Sequence, residues 1–134
     1  VAHWLLKSDP ETYSFQDLQR DKSTMWDGVR NYQARKFLKE MRKGDLAFIY
    51  HSQEEKSVVG TAEVTRPAYP DPTDKTGEWV VVDLAAGKSA KRPVTLEDIK
   101  RDPILKSLPL VKQSRLSVMP VSGSQAKRLN ELMA

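Results

Sequence analysis

The stretch Met25-Trp26-Asp27-Gly28-Val29-Arg30-Asn31-Tyr32-Gln33-Ala34 gathers groups that suit a nucleobase. An indole face stacks on a base, worth about 1–3 kcal/mol per base. An Asn or Gln side chain reads a base edge with paired donor and acceptor atoms. Asn31 stands where a helix can start, and a helix N-terminus with Arg30 beside it attracts phosphate. A plainer use of the same residues exists, and residue types alone favour it. In that reading Trp26 plugs the open end of a core and Asn31 merely caps the helix.

Other segments carry the same double reading. Lys7-Ser8-Asp9-Pro10 is either the mouth of a pocket or a strand end. Tyr50-His51-Ser52 either presents polar tips to a ligand or is a core tyrosine, an exposed histidine and a turn serine. Arg115, in Ser114-Arg115-Leu116-Ser117-Val118, either fixes a ligand or pairs with one of the chain's 18 acids. Hydrolase chemistry finds little support. Neighbouring strand residues point to opposite faces, so His51 and Ser52 are badly placed to exchange a proton. Glu54-Glu55 falls in a turn and reads as solvated surface. No phosphate loop, dinucleotide fingerprint or nucleophile elbow is present.

These residues need elements to position them. Ala2 to Lys7 reads as a buried strand, and Ser8 to Tyr13 as a turn in which Pro10 forces Asp9 out of the helical region. Ser14 and Asp17 form a capping pair ahead of a helix from Phe15 to Asp21. Residues 22–30 show neither a helical nor a strand period. Beyond Asn31, the residues Ala34, Phe37, Leu38 and Met41 make one apolar helical stripe, with Gly44 as its stop. Arg35, Lys36, Lys39, Arg42 and Lys43 cover the other face. Asp45 to His51 and Val58 to Arg66 read as a hairpin, in which Gly60 marks a bulge or a close approach. Pro67 to Gly77 reads as a loop, Glu78 to Ala85 as a strand and Lys88 to Val94 as an edge strand. Trp4 and Trp79 fall within strand patterns and are expected in the core. Thr95 caps a helix to Lys100, and a short helical turn is expected after Pro103. Arg115 to Val118 is a last strand. Ser122 with Gln125 opens a C-terminal helix whose stripe is Ala126, Leu129, Leu132 and Met133. Strands do not alternate with long helices, which argues against a doubly wound parallel sheet.

The chain has 134 residues, enough for one domain over 1–134, and 39% of them are apolar. There are 22 Lys and Arg against 18 Asp and Glu, a net charge of +4 that permits a polyanionic partner without demanding one. The absence of cysteine excludes disulfides, zinc knuckles and thiol nucleophiles, and two histidines exclude a multi-His metal site. No apolar run approaches the roughly 20 residues of a membrane helix. No secretory leader pattern is visible, so the expected location is cytoplasmic.

Five segments in order resemble the EVE domain, a member of the PUA-like superfamily and a relative of the YTH modified-base readers. They are Trp4 to Pro10, Trp26 to Ala34, Gly44-Asp45 with Phe48 to Ser52, Val59-Gly60, and Arg115 to Val121. The resemblance implies an α+β fold, a PUA-like curled and mainly antiparallel β-barrel with peripheral helices. It implies a small pocket that accepts a modified base, such as a methylated one, in DNA or RNA. Trp26 is then the stacking wall. Asn31, Lys7 and Ser8 make edge contacts, Tyr50, His51 and Ser52 close another side, and Gly60 lets the ligand approach. Arg30, Lys36, Lys39 and Arg115 hold flanking phosphates. No metal, cofactor, membrane or catalytic group is implied. The alternatives are a sensor of free nucleotides or small metabolites and, further off, an enzyme acting on modified nucleotides.

Overall fold

The computed structural model describes residues 1–134. In chain order the elements are β1 (His3–Ser8), α1 (Phe15–Asp21), β2 (Ser23–Trp26), α2 (Tyr32–Glu40), β3 (Leu46–His51), β4 (Ser57–Pro70), β5 (Val80–Thr95), α3 (Leu96–Arg101), α4 (Pro109–Lys112), β6 (Val118–Val121) and α5 (Gly123–Met133). The helices start where local chemistry says they should. Ser14, Thr95 and Ser122 each accept a hydrogen bond from the N3 amide of their helix while the N3 side chain answers, which satisfies two otherwise orphaned donors. Asn31 caps α2 by accepting from the Ala34 amide. That helix ends at Glu40, because Met41 turns to extended geometry. Gly44 sits three residues later, at φ +93°, in the turn into β3.

All six strands form one sheet in the order β2-β5-β4-β3-β1-β6. The β1–β3 pair is parallel and every other pair is antiparallel. The expected barrel does not form: the sheet is open, and its two outer strands are not paired to each other. Pro120, which has no N–H to donate, sits in outer strand β6, and α2 packs against that strand. At the other side, β2 spends its four residues on a ladder with β5.

The structure departs from the sequence pattern in several places: the last strand, expected at Arg115 to Val118, is Val118–Val121, and the α2 stripe stops short of Met41. Ser23–Trp26, expected to be irregular, is a strand, because four residues are too few to show a period and the pairing partner lies some sixty residues away. The expected strands at 78–85 and 88–94 are one strand of 16 residues, and its partner β4 runs on to Pro70 through what reads as a loop. Bulges break the β4–β5 register at four places, so the pair never shows a clean alternation. Beyond Ala86 only β4 flanks β5, which preserves the edge character expected of Lys88 to Val94.

One cluster of 32 buried apolar residues joins the sheet to α1, α2 and α5. Gly60 belongs to this packing. A Cβ there would lie 2.3 Å from the Phe15 ring, so the close approach at Gly60 is made by α1.

Candidate functional site

The end of β1, the turn that follows it, Thr24 to Trp26 of β2 with the three residues after them, and Ser117 line one cleft of about 580 Å³. That is the size range of small-ligand pockets. Two aromatic rings form its apolar wall. Trp26 closes β2, and its indole meets the Tyr13 ring edge-on, with centroids 6.3 Å apart and planes at 87°. Only 8% of Trp26 is exposed, yet it borders the cleft, so the indole both packs in the core and faces a hollow. A hydrogen bond from the Tyr13 hydroxyl to Asp21 at 2.8 Å fixes that ring from α1. Burial, with the Asp21 contact, pushes the phenol pKa up, so Tyr13 stays neutral.

The polar wall has bonding capacity left over. Ser8 gives its single hydroxyl proton to the Tyr13 carbonyl, which leaves its lone pairs able only to accept. Its own carbonyl takes the Ser52 amide at 2.9 Å. Half-buried Lys7 gives one ammonium proton to the Ser114 carbonyl at 2.7 Å and keeps two donors. Burial lowers its pKa below the usual lysine value. Asp9 accepts the Glu11 amide at 2.9 Å, and its carbonyl accepts from Thr12 and Tyr13, closing the turn that carries Tyr13 to the cleft. Thr12, Thr24, Met25, Asp27, Gly28 and Val29 complete the rim. The cleft therefore offers an aromatic face, a hydroxyl acceptor and an ammonium donor. A second depression, beside α5, is lined by His3, Lys127, Asn130 and Glu131 among others and has no indole or phenol wall.

Of the residues singled out in the sequence, Trp26, Lys7 and Ser8 line the cleft. Asn31 does not, because its side-chain oxygen is used on the Ala34 amide. Tyr50 is 3% exposed and belongs to the core. His51 is buried rather than exposed. Its Nε2 accepts the Phe15 amide at 2.9 Å and its Nδ1 lies 2.6 Å from Glu55, so it holds α1 to β3 and the following turn. Ser52 binds the Ser8 carbonyl from outside the cleft. Gly60 faces Phe15.

Among the expected phosphate contacts, Arg30 is already paired, at 3.1 Å, with Asp71, whose side chain is fully buried. Burial alone would raise the Asp71 carboxyl, but hydrogen bonds from Thr73 and Arg30 outweigh it and hold the pKa below the usual range. Arg30 thus ties the segment after the cleft to the loop before β5. Lys36, Lys39 and Arg115 are exposed and outside the cleft lining. Arg115 follows Ser114, whose carbonyl receives Lys7. Trp79, expected in the core, lies in the loop before β5 with its ring 5.1 Å from that of Tyr32.

Sequence reasoning missed Thr12, Tyr13, Thr24 and Ser117, of which Tyr13 supplies an aromatic wall. Tyr13 ends the Asp9 turn, and the signal was its place one residue before the Ser14 cap. Ser117 left no signal beyond its presence in the quoted Arg115 segment, since its position depends on Lys7, whose amide it accepts at 2.9 Å.

Comparison with known proteins places the chain in a family. The EVE domain model matches residues 2–132. Chicken (Gallus gallus) thymocyte nuclear protein 1 is 35% identical over 92% of this chain, which spans 65% of that longer protein. The NMR structure of a Rhodopseudomonas palustris protein is 46% identical, with a TM-score of 0.93 over 98% of this chain and 92% of that one. The human (Homo sapiens) thymocyte nuclear protein 1 structure, solved in complex with 5-methylcytosine-containing DNA, is 32% identical, with a TM-score of 0.90 over 99% of this chain and 98% of that one. With a family model covering nearly its whole length, the chain belongs to the EVE domain family.

Proposed function

We propose that this protein binds a nucleic acid carrying a modified base, DNA in the first instance, and takes that base into the cleft. The carrying observation is the cleft itself, in which an aromatic wall at Trp26 and Tyr13 faces unspent polar groups at Lys7 and Ser8. The human relative's complex with 5-methylcytosine-containing DNA supports the choice of polymer.

In this reading the base leaves its stack, at a cost of a few kcal/mol from a duplex and less from a single strand. Stacking on the indole offsets about 1–3 kcal/mol of that cost. Ser8 can only accept, so it suits an exocyclic amino group, and Lys7 suits a base carbonyl or ring nitrogen. Burying one methyl group contributes about 0.8 kcal/mol, roughly a fourfold preference, so strong discrimination has to come from hydrogen bonding that the modification alters. Binding is the whole function proposed, and no bond is made or broken.

The test is titration of short DNA and RNA oligonucleotides with one 5-methylcytosine or none, using wild type and Trp26→Ala. Wild type should prefer the modified DNA, and Trp26→Ala should lose about tenfold or more in affinity. Equal affinity for every oligonucleotide in both proteins would refute the reading. Stabilisation by free nucleosides alone, with none by polymers, would shift it to a small-molecule sensor. A change in oligonucleotide mass on incubation would shift it to an enzyme.

A further inference from the structure

Next to the cleft stands a cluster that base binding in the cleft does not account for. Tyr32, the first residue of α2, is 61% exposed. Its ring lies 5.1 Å from that of Trp79, tilted by 32°. The Arg35 guanidinium sits 4.8 Å from the centre of the Tyr32 ring and 5.3 Å from that of Trp79. Its Nη1 donates to the Glu78 carbonyl at 2.9 Å. Two rings and one carbonyl thus fix a long cationic side chain, and Arg35 joins none of the protein's ion pairs.

The neighbouring charges sharpen the point. Arg30 also lies over Trp79, at 5.7 Å, but its charge is met by Asp71. Two acids adjoin the rings: Asp74 accepts the Trp79 amide at 3.0 Å, and Glu78 accepts the Tyr32 hydroxyl at 2.8 Å, which raises the phenol pKa and keeps Tyr32 neutral. Lys39 stands one helical turn beyond Arg35 on the same face, with Lys36 alongside, and neither is in an ion pair. A guanidinium ordered in advance, planar and without a counter-ion, is suited to fork onto phosphate oxygens.

Chain connectivity joins this cluster to the cleft. Gly28 and Val29 line the cleft, and Tyr32 is three residues beyond Val29, at most about 11 Å along an extended chain. We infer that the Tyr32–Arg35–Trp79 stack is a second contact site that holds the nucleic-acid strand beside the base in the cleft, with Arg35 on a backbone phosphate and the exposed face of Tyr32 against a neighbouring base. This rests on the cleft taking a base from a polymer.

The experiment compares two probes on wild type, Arg35→Gln, Arg35→Lys, Tyr32→Ala and, as a control, Lys106→Gln, at an exposed lysine outside both the cleft and the stack. One probe is a short single-stranded DNA with a central 5-methylcytosine, followed by fluorescence anisotropy at several salt concentrations. The other is free 5-methyl-2′-deoxycytidine, followed by NMR titration. Arg35→Gln should weaken the oligonucleotide about tenfold and flatten its log-affinity against log-salt slope by about 0.7, while nucleoside binding stays at the wild-type level. Arg35→Lys should recover the slope but only part of the affinity, and Tyr32→Ala should lose affinity with the slope unchanged. Wild-type oligonucleotide affinity and slope in both Arg35→Gln and Tyr32→Ala, with the preference for the methylated base intact, would overturn the second site and leave the cleft reading standing. Loss of nucleoside and oligonucleotide binding together in Arg35→Gln, as in Trp26→Ala, would also overturn it.

Discussion

The polar groups around Asp45, just before β3, and those around Ser8, at the end of the neighbouring strand β1, lie at opposite ends of one strand pair and behave in opposite ways. Asp45 is 5% exposed and both its carboxylate oxygens are engaged by the protein: it accepts from the Ala2 amide at 3.2 Å, the Trp4 indole at 3.0 Å and the Arg42 amide at 2.9 Å. His51, at the far end of β3, is likewise used at both ring nitrogens. Ser8 and Lys7 keep lone pairs and protons that no protein group takes, and they face a hollow. Buried polar residues whose polar atoms are all engaged inside the protein hold the fold together. Those with valences to spare at a cavity are free to meet a ligand. Residue type alone does not separate the two groups, and the hydrogen-bond inventory does.

The largest effect that would break this contrast is at Asp45. Asp45→Ala strands three donors, so urea unfolding should show a loss of about 3 kcal/mol, with oligonucleotide affinity of the folded fraction unchanged. Burial alone would raise the Asp45 carboxyl, but the bonds from Arg42, Trp4 and Ala2 outweigh it and depress the pKa below the ordinary 3.8. A depressed carboxylate contributes stability that is complete above its unfolded value and is lost as pH falls through the folded one. Wild-type stability should therefore decline below about pH 4, and Asp45→Ala should decline less steeply over that range. A weakened affinity in folded Asp45→Ala would show that the two regions are coupled.

His51→Ala comes next. It leaves the Phe15 amide without its acceptor and a cavity beside α1, and should cost about 2 kcal/mol in urea unfolding. Because Ser14 and Phe15 follow Tyr13 directly, binding measured on folded protein tests whether anchoring α1 matters to the cleft. Unchanged affinity would keep the contrast sharp. Ser8→Ala is the smallest in stability, less than about 1 kcal/mol, since the hydroxyl satisfies one carbonyl in a half-buried turn. Its effect should appear in binding instead, as roughly a tenfold loss for the methylated oligonucleotide. A large stability loss with intact binding would move Ser8 into the structural group.

The helices were legible because their signals are local. The capping pairs at Ser14 and Ser122, the caps at Thr95 and Asn31, and the stripes Ala34-Phe37-Leu38 and Ala126-Leu129-Leu132-Met133 are all read within a few residues and found in place, while Met41, expected to continue the first stripe, falls just past the end of α2. The site was legible only in part. Trp26, Lys7 and Ser8 stood out by type and segment. Tyr50, His51 and Ser52 stood out equally and lie elsewhere, because exposure at the end of a strand depends on what covers it. Trp79 reads as a core residue in its own strand pattern, yet it pairs with Tyr32, 47 positions earlier, on the surface.

By itself the sequence determined that this is an α+β chain without cysteine or multi-histidine chemistry, where its helices begin, and which family it resembles. Capping, helical periodicity and composition act over a turn or two of chain, so they survive in a one-dimensional reading. Only the tertiary structure decided that Ser23–Trp26 is a strand, that the sheet stays open, that Arg30 is neutralised while Arg35 is not, and which polar groups keep bonding capacity. Most of those outcomes depend on a partner tens of residues away, and pairing across that distance is set by packing of the whole core rather than by any local preference.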